Sequence, residues 1–83
     1  MTQSRGKLPD SIEYLLRDQL VGAIDQANLG QFDTRVAKRY LIDRLLQNDI
    51  AAELGCDRSS VSRRIPHIIA KVEWAAKQLY GTG

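Results

Sequence analysis

The chain has 83 residues, 43% of them hydrophobic and 27% charged, with a formal net charge of +2. That balance belongs to one small globular domain and excludes a disordered or low-complexity chain. No apolar run approaches the roughly 18 residues a bilayer span needs, no secretory signal is expected from the polar start at residues 1–7, and the one cysteine, Cys56, excludes an internal disulfide and a cysteine-based zinc site.

Residues 1–7 read as a flexible tail and residues 8–80 as a single domain. Pro9 and Asp10 open a first helix, with Asp10 or Ser11 accepting from free N–H groups of its first turn. Ile12, Leu15, Leu16, Leu20, Ala23, Ile24 and Ala27 recur at helical spacing and predict one buried stripe. Asn28, Leu29 and Gly30 end this helix, with Gly30 as the left-handed cap. Gln31 and Phe32 fall in the link, where Phe32 is expected to plug the core.

Asp33 or Thr34 then caps a second helix running to about Leu46, with Val36, Ala37, Tyr40, Leu41 and Leu45 on its apolar face. A third, short helix spans about Asn48 to Leu54 and turns Ile50, Ala51 and Leu54 inward, and Gly55 stops it. The side chain of Asp57 caps a fourth helix, in which Val61, Ile65, Ile68, Ile69, Val72, Ala76 and Leu79 carry the apolar pattern to about Tyr80. Pro66 lies well inside that pattern. It removes the N–H that would reach the carbonyl of Ser62, at a cost of roughly 3 kcal/mol in an unstrained helix. A kink over residues 62–66 is expected, and a full break at Pro66 is the alternative. No strand-like alternation or internal repeat occurs, so the expected fold is all-α: a small four-helix bundle whose last helix is long and kinked.

Charge is unevenly spread. Residues 1–32 hold three basic and four acidic side chains, whereas residues 33–83 hold nine basic and six acidic ones. Between Arg58 and Lys71 there are four basic residues, His67 and no acid. Such a stretch is either a polyanion-binding face or a solvated helix surface.

The segment 47–66 narrows the choice. Two helices that cross closely need a small residue in the first, and Ala51 supplies it. The turn needs positive φ, which Gly55 tolerates, and a small apolar plug, for which the free thiol of Cys56 serves. Val61 and Ile65 return the second helix to the core. This is the layout that carries a recognition helix into the major groove of DNA, although an ordinary helical hairpin uses similar positions.

Residues 50–65, Ile-Ala-Ala-Glu-Leu-Gly-Cys-Asp-Arg-Ser-Ser-Val-Ser-Arg-Arg-Ile, resemble the helix-turn-helix of region 4 in bacterial sigma factors. They are also similar to small sigma-like regulators of phages and mobile elements of Gram-positive bacteria. The likeness runs from about Tyr40 to Lys71 and is weak before residue 33. It implies a bundle of mainly four helices whose last part reads a promoter element, and contact with RNA polymerase. At this length the chain is expected to carry region 4 alone, without the separate sigma domains that melt a promoter. Two positions depart from the family pattern: Leu46 stands where Ser or Thr usually caps the first motif helix, and Pro66 interrupts the last helix.

Within such a motif the start of the second helix faces the bases. Arg58, Ser59, Ser62 and Arg63 share that outward face because Val61 and Ile65 point inward. Arg58 and Arg63 suit bidentate bonds to guanine O6 and N7, and the two serines bond bases or phosphates. Arg44, Gln47, Ser60, Arg64, His67 and Lys71 are candidates for phosphate contacts, which hold register without reading sequence. Solvated arginines and serines that merely cap their own helix are the plainer alternatives. Trp74 and Tyr80 mark a partner surface or pack internally, and the apolar excess from Ile68 to Tyr80 makes a homodimer the preferred expectation over a monomer. No catalytic constellation, metal site or cofactor is expected: His67 has no second ligand near it, and the spacing of Asp49, Glu53 and Asp57 fits no calcium loop.

The expected function is therefore sequence-specific binding of double-stranded DNA by a cytoplasmic transcriptional regulator, with no enzymatic activity and no membrane attachment. A protein-interaction adaptor for RNA polymerase or another regulator is one alternative. The DNA-recognition module of a recombination or packaging complex is another.

Overall fold

The computed structural model describes residues 10–81, and every regular element among them is helical. The tail expected over residues 1–7 and the role of Pro9 lie outside the described residues, as do the side chains expected to cap at Asp10 or Ser11. Helix α1 covers Asp10–Glu13, α2 Arg17–Ala27 and α3 Gln31–Ala37; α3 continues into a wider π turn over Lys38–Ile42. Helix α4 covers Gln47–Leu54 and α5 Arg58–Tyr80. Helix α5 is the spine: α1, α2, α3 and α4 all pack on it, α2 most extensively.

The first helix is broken where the sequence pattern predicted continuity. Leu16 adopts extended backbone (φ −72°, ψ 162°), and its N–H donates to Oε1 of Gln19 at 2.9 Å. That reach-back is the glutamine half of a capping box, and it starts α2 at Arg17. Ile12 stays in the core, but Leu16 is turned out and 71% exposed, against its expected place in the buried stripe.

Helix α2 ends two residues earlier than a Gly30 cap would require. Asn28 takes the left-handed conformation (φ 55°), which its short polar side chain tolerates. Gly30, at φ 95° and ψ 165°, instead precedes α3 and accepts the Thr34 N–H at 2.9 Å. Neither Asp33 nor Thr34 is therefore the cap. Gln31 and Phe32 belong to the first turn of α3 rather than to a link, and Phe32 is 40% exposed instead of plugging the core.

The second helix also stops short of Leu46. Its π turn ends at Ile42, and Arg44 then adopts positive φ (62°). The Leu45 N–H reaches back to the Arg39 carbonyl at 3.0 Å. This return is one residue wider than the usual left-handed helix cap, as expected behind a π turn. Val36, Ala37, Tyr40 and Leu41 are buried as the spacing predicted, and Leu45 packs half-buried against them.

The turn between α4 and α5 follows the expected pattern closely. Gly55 is left-handed (φ 71°). The Cys56 N–H donates to the Ala51 carbonyl at 3.0 Å and the Gly55 N–H to the Ala52 carbonyl at 3.4 Å, the paired bonds of a Schellman cap. Ile50 and Ala51 are buried at the crossing, with Leu54 and Cys56 half-buried beside them.

Asp57 does precede α5, but its side chain makes no cap bond; its backbone carbonyl accepts from Ser60 at 3.0 Å and Val61 at 3.4 Å. Val61, Ile65, Ile68, Val72, Ala75 and Ala76 form the buried stripe of α5, whereas Leu79 near the helix end is 44% exposed. The helix passes Pro66 without a break. Pro66 is on the exposed side, so water can hydrate the Ser62 carbonyl that loses its helical partner.

Two left-handed positions make a matched test. Gly55 has open space around a would-be Cβ, so Gly55→Ala is penalised by backbone strain alone, about 1 kcal/mol. Arg44→Gly should shift stability the other way by up to about 1 kcal/mol. Urea unfolding with unchanged m-values is expected to show both shifts.

Candidate nucleic-acid interface

Burial of the α5 stripe fixes that helix in rotation and therefore decides which of its polar residues face water. Arg58, Ser59, Ser60 and Arg63 are all exposed on its first two turns. Among the described residues, no protein group holds the guanidinium of Arg58 or Arg63. Their expected outward placement is what the fold produces.

Ser62 and Gln47 are brought together in a way the sequence did not reveal. The Ser62 hydroxyl donates to the Gln47 side-chain carbonyl in a close, half-buried contact. The bond joins the first turn of α4 to the second turn of α5 and ties the two helices together there. Gln47 also starts α4 one residue before the expected Asn48. Leu46 precedes it in extended backbone (φ −76°, ψ 157°) and offers no side-chain cap.

Arg64 turns away from Arg63 and grips Asp33. Its Nε donates to Asp33 Oδ1 at 3.0 Å, and a second bond runs from Nη2 to Oδ2. Asp33 is the one buried charged residue among those described, at 6% exposure. The hydrogen bonds first, and then the carboxylate charge, hold the Arg64 guanidinium proton more firmly than usual. A carboxylate that looked like a helix cap is thus the anchor between α3 and α5. A pattern read along the chain could not find a partner 31 residues away.

Arg39 is occupied as well. It donates to Glu53 at 2.8 Å and to Asp43 at 3.1 Å, and the Glu53 hydrogen bond is the main cause of its raised pKa. Lys77 sits 3.4 Å from Glu73. Around the turn, the cations with no partner among the described residues are therefore a subset: Arg58 and Arg63 on α5, and Arg44 on the strained segment that leads into α4.

His67, Lys71 and Trp74 continue the exposed surface of α5 but face the end of α2, where Gln26 and Asn28 stand opposite them. Trp74 is 57% exposed and Tyr80 38%. Tyr80 leans over α2, with its hydroxyl 2.7 Å from where a Cβ on Gly22 would stand. Among the described residues no group of three or more His, Cys, Asp or Glu could hold a metal ion, and no helix is long and apolar enough to cross a membrane.

No protein-family model, curated protein or solved structure matches the chain.

The Arg64–Asp33 pair yields an asymmetric expectation. Arg64→Ala leaves a buried carboxylate without a partner, while Asp33→Ala releases an arginine that can turn to water. Urea unfolding should show Arg64→Ala as the more destabilised variant, and the double substitution should recover part of that loss. Simple addition of the two single effects would contradict the coupling.

Proposed function

We propose that the chain binds double-stranded DNA through a helix-turn-helix formed by α4 and α5, reads sequence in the major groove and regulates transcription. The observation that carries this reading is the division among the arginines. Arg39 and Arg64 are spent on internal carboxylates, while Arg58 and Arg63 project from the first two turns of α5 with no such partner among the described residues. A helix start that presents two unpaired guanidinium forks, with small serines between them, can enter a groove and bond guanine O6 and N7.

The turn chemistry supports the same reading. Ala51 allows a close crossing, Gly55 supplies the left-handed residue, and the Ser62–Gln47 bond ties the two helices together. Arg44 adds a phosphate contact beside the start of α4. A bulky residue kept in left-handed backbone is a strain that the fold alone would not favour. In this arrangement Ser59 and Ser60 meet bases or phosphates, and Ser62 and Arg64 chiefly orient the reading helix. A bend at Pro66 would let that helix and the packing half of α5 take different directions.

Selection of bound duplexes from a random pool is expected to return a defined site. On that site Arg63→Ala weakens binding by about 1–3 kcal/mol and relaxes preference at one base pair. Arg44→Ala weakens all duplexes alike and flattens the salt dependence by about one unit of slope. Equal loss on selected and random duplexes for Arg63→Ala would contradict base reading. Failure to retard any duplex at low salt would favour the protein-adaptor alternative, with Trp74 on its contact surface.

A further inference from the structure

We propose that the groove between the end of α2 and the middle of α5 binds a nucleotide unit, with its base on Trp74 and its phosphate on Lys71 and His67. The groove is open to solvent on one side and offers about 480 Å³ of space, within the span of roughly 300–1,000 Å³ usual for small-ligand sites. Its rim carries the three functions such a ligand needs. The indole of Trp74, more than half exposed, offers a face on which a flat base stacks. Ala70 keeps the surface beside it low, so a ring can lie against the helix. Gln26 and Asn28, on the opposite wall, present side-chain amides that both donate and accept, matching the edge of a purine.

Lys71 and His67 lie one turn apart on α5 and line the same groove. Neither is held by a carboxylate among the described residues, and no acidic side chain lines the groove. The site therefore suits an anion, and a lysine ammonium beside a histidine N–H suits phosphate oxygens. Among the described residues, aromatic face, amide edge and two unpaired cations line this one groove, whereas the smaller groove of Gln31, Phe32, Arg35 and Leu54, about 230 Å³, offers a single cation. The other α2 groove, beside Gly30, contains Asp25 and no aromatic ring. The base-reading arginines take no part, and His67 and Lys71, candidates for duplex phosphate contacts by sequence, serve this groove instead.

A free mononucleotide and a nucleotide of a single strand share this chemistry. One experiment separates them, because Trp74 is the only tryptophan in the chain and its fluorescence reports on the groove alone. The full chain is titrated with adenosine 5′-monophosphate, adenosine, inorganic phosphate and a short oligodeoxyadenylate, exciting where the tyrosines do not absorb.

Saturable quenching by the mononucleotide is expected, with adenosine at least about tenfold weaker for want of one charge-assisted contact. Inorganic phosphate alone should produce no quenching. An oligonucleotide that binds tighter per nucleotide than the monomer identifies a single strand as the source; equal binding identifies a free nucleotide. Lys71→Ala should lose about tenfold in affinity, and calorimetry on Trp74→Ala should show binding abolished. Circular dichroism verifies that both variants stay helical. Arg63→Ala should leave the titration unchanged, which separates this site from the duplex interface. Absence of saturable quenching by both nucleotide probes, or full affinity retained in Lys71→Ala, would overturn the proposal.

Discussion

Val61, Ile65, Ile68, Val72, Ala75 and Ala76 hold α5 at one rotation about its axis, because burying these six side chains against the other helices is the main apolar gain the long helix makes. Once that rotation is set, the face from which each polar residue leaves the helix is fixed. Arg58 and Arg63 face water, Arg64 meets Asp33, and Lys71 and Trp74 face the end of α2. Substitutions that weaken the stripe would disturb the exposed face and the groove together, since both hang on the same rod.

The internal polar contacts refine what the apolar stripe sets. Asp33 fastens the first turn of α3 to α5 one residue beyond Arg63, and the Ser62–Gln47 bond fastens α4 to α5 one residue before it. The exposed arginine thus stands between two cross-helix ties.

Much of this was legible in the residues. Helical spacing gave the buried faces of α2, α4 and α5, and the pair Ala51 and Gly55 gave the turn, because both depend on neighbours close in sequence. Failures occurred where distant contacts or local caps competed with periodicity. Leu16 fits the apolar spacing, yet the reach-back of Gln19 breaks the helix there; the spacing of the two residues was visible and the apolar pattern masked it. Asp33 has the chemistry of a cap, and only the fold reveals that a guanidinium from α5 waits beside it. Gln26 and Asn28 stand across from Lys71 and Trp74 only because α5 packs on α2, a contact that local spacing does not encode.

Among the described residues, three positions combine left-handed backbone with helix termination, and they are filled differently: Asn28, Arg44 and Gly55. Chance drift under a demand for folding alone would move such sites toward glycine or asparagine, as two of them illustrate. Position 44 instead carries a long cationic side chain in that backbone. Comparing variants of this chain across sources should therefore reveal whether position 44 swaps arginine for lysine more readily than for glycine, a signature of selection acting on charge at the expense of backbone ease.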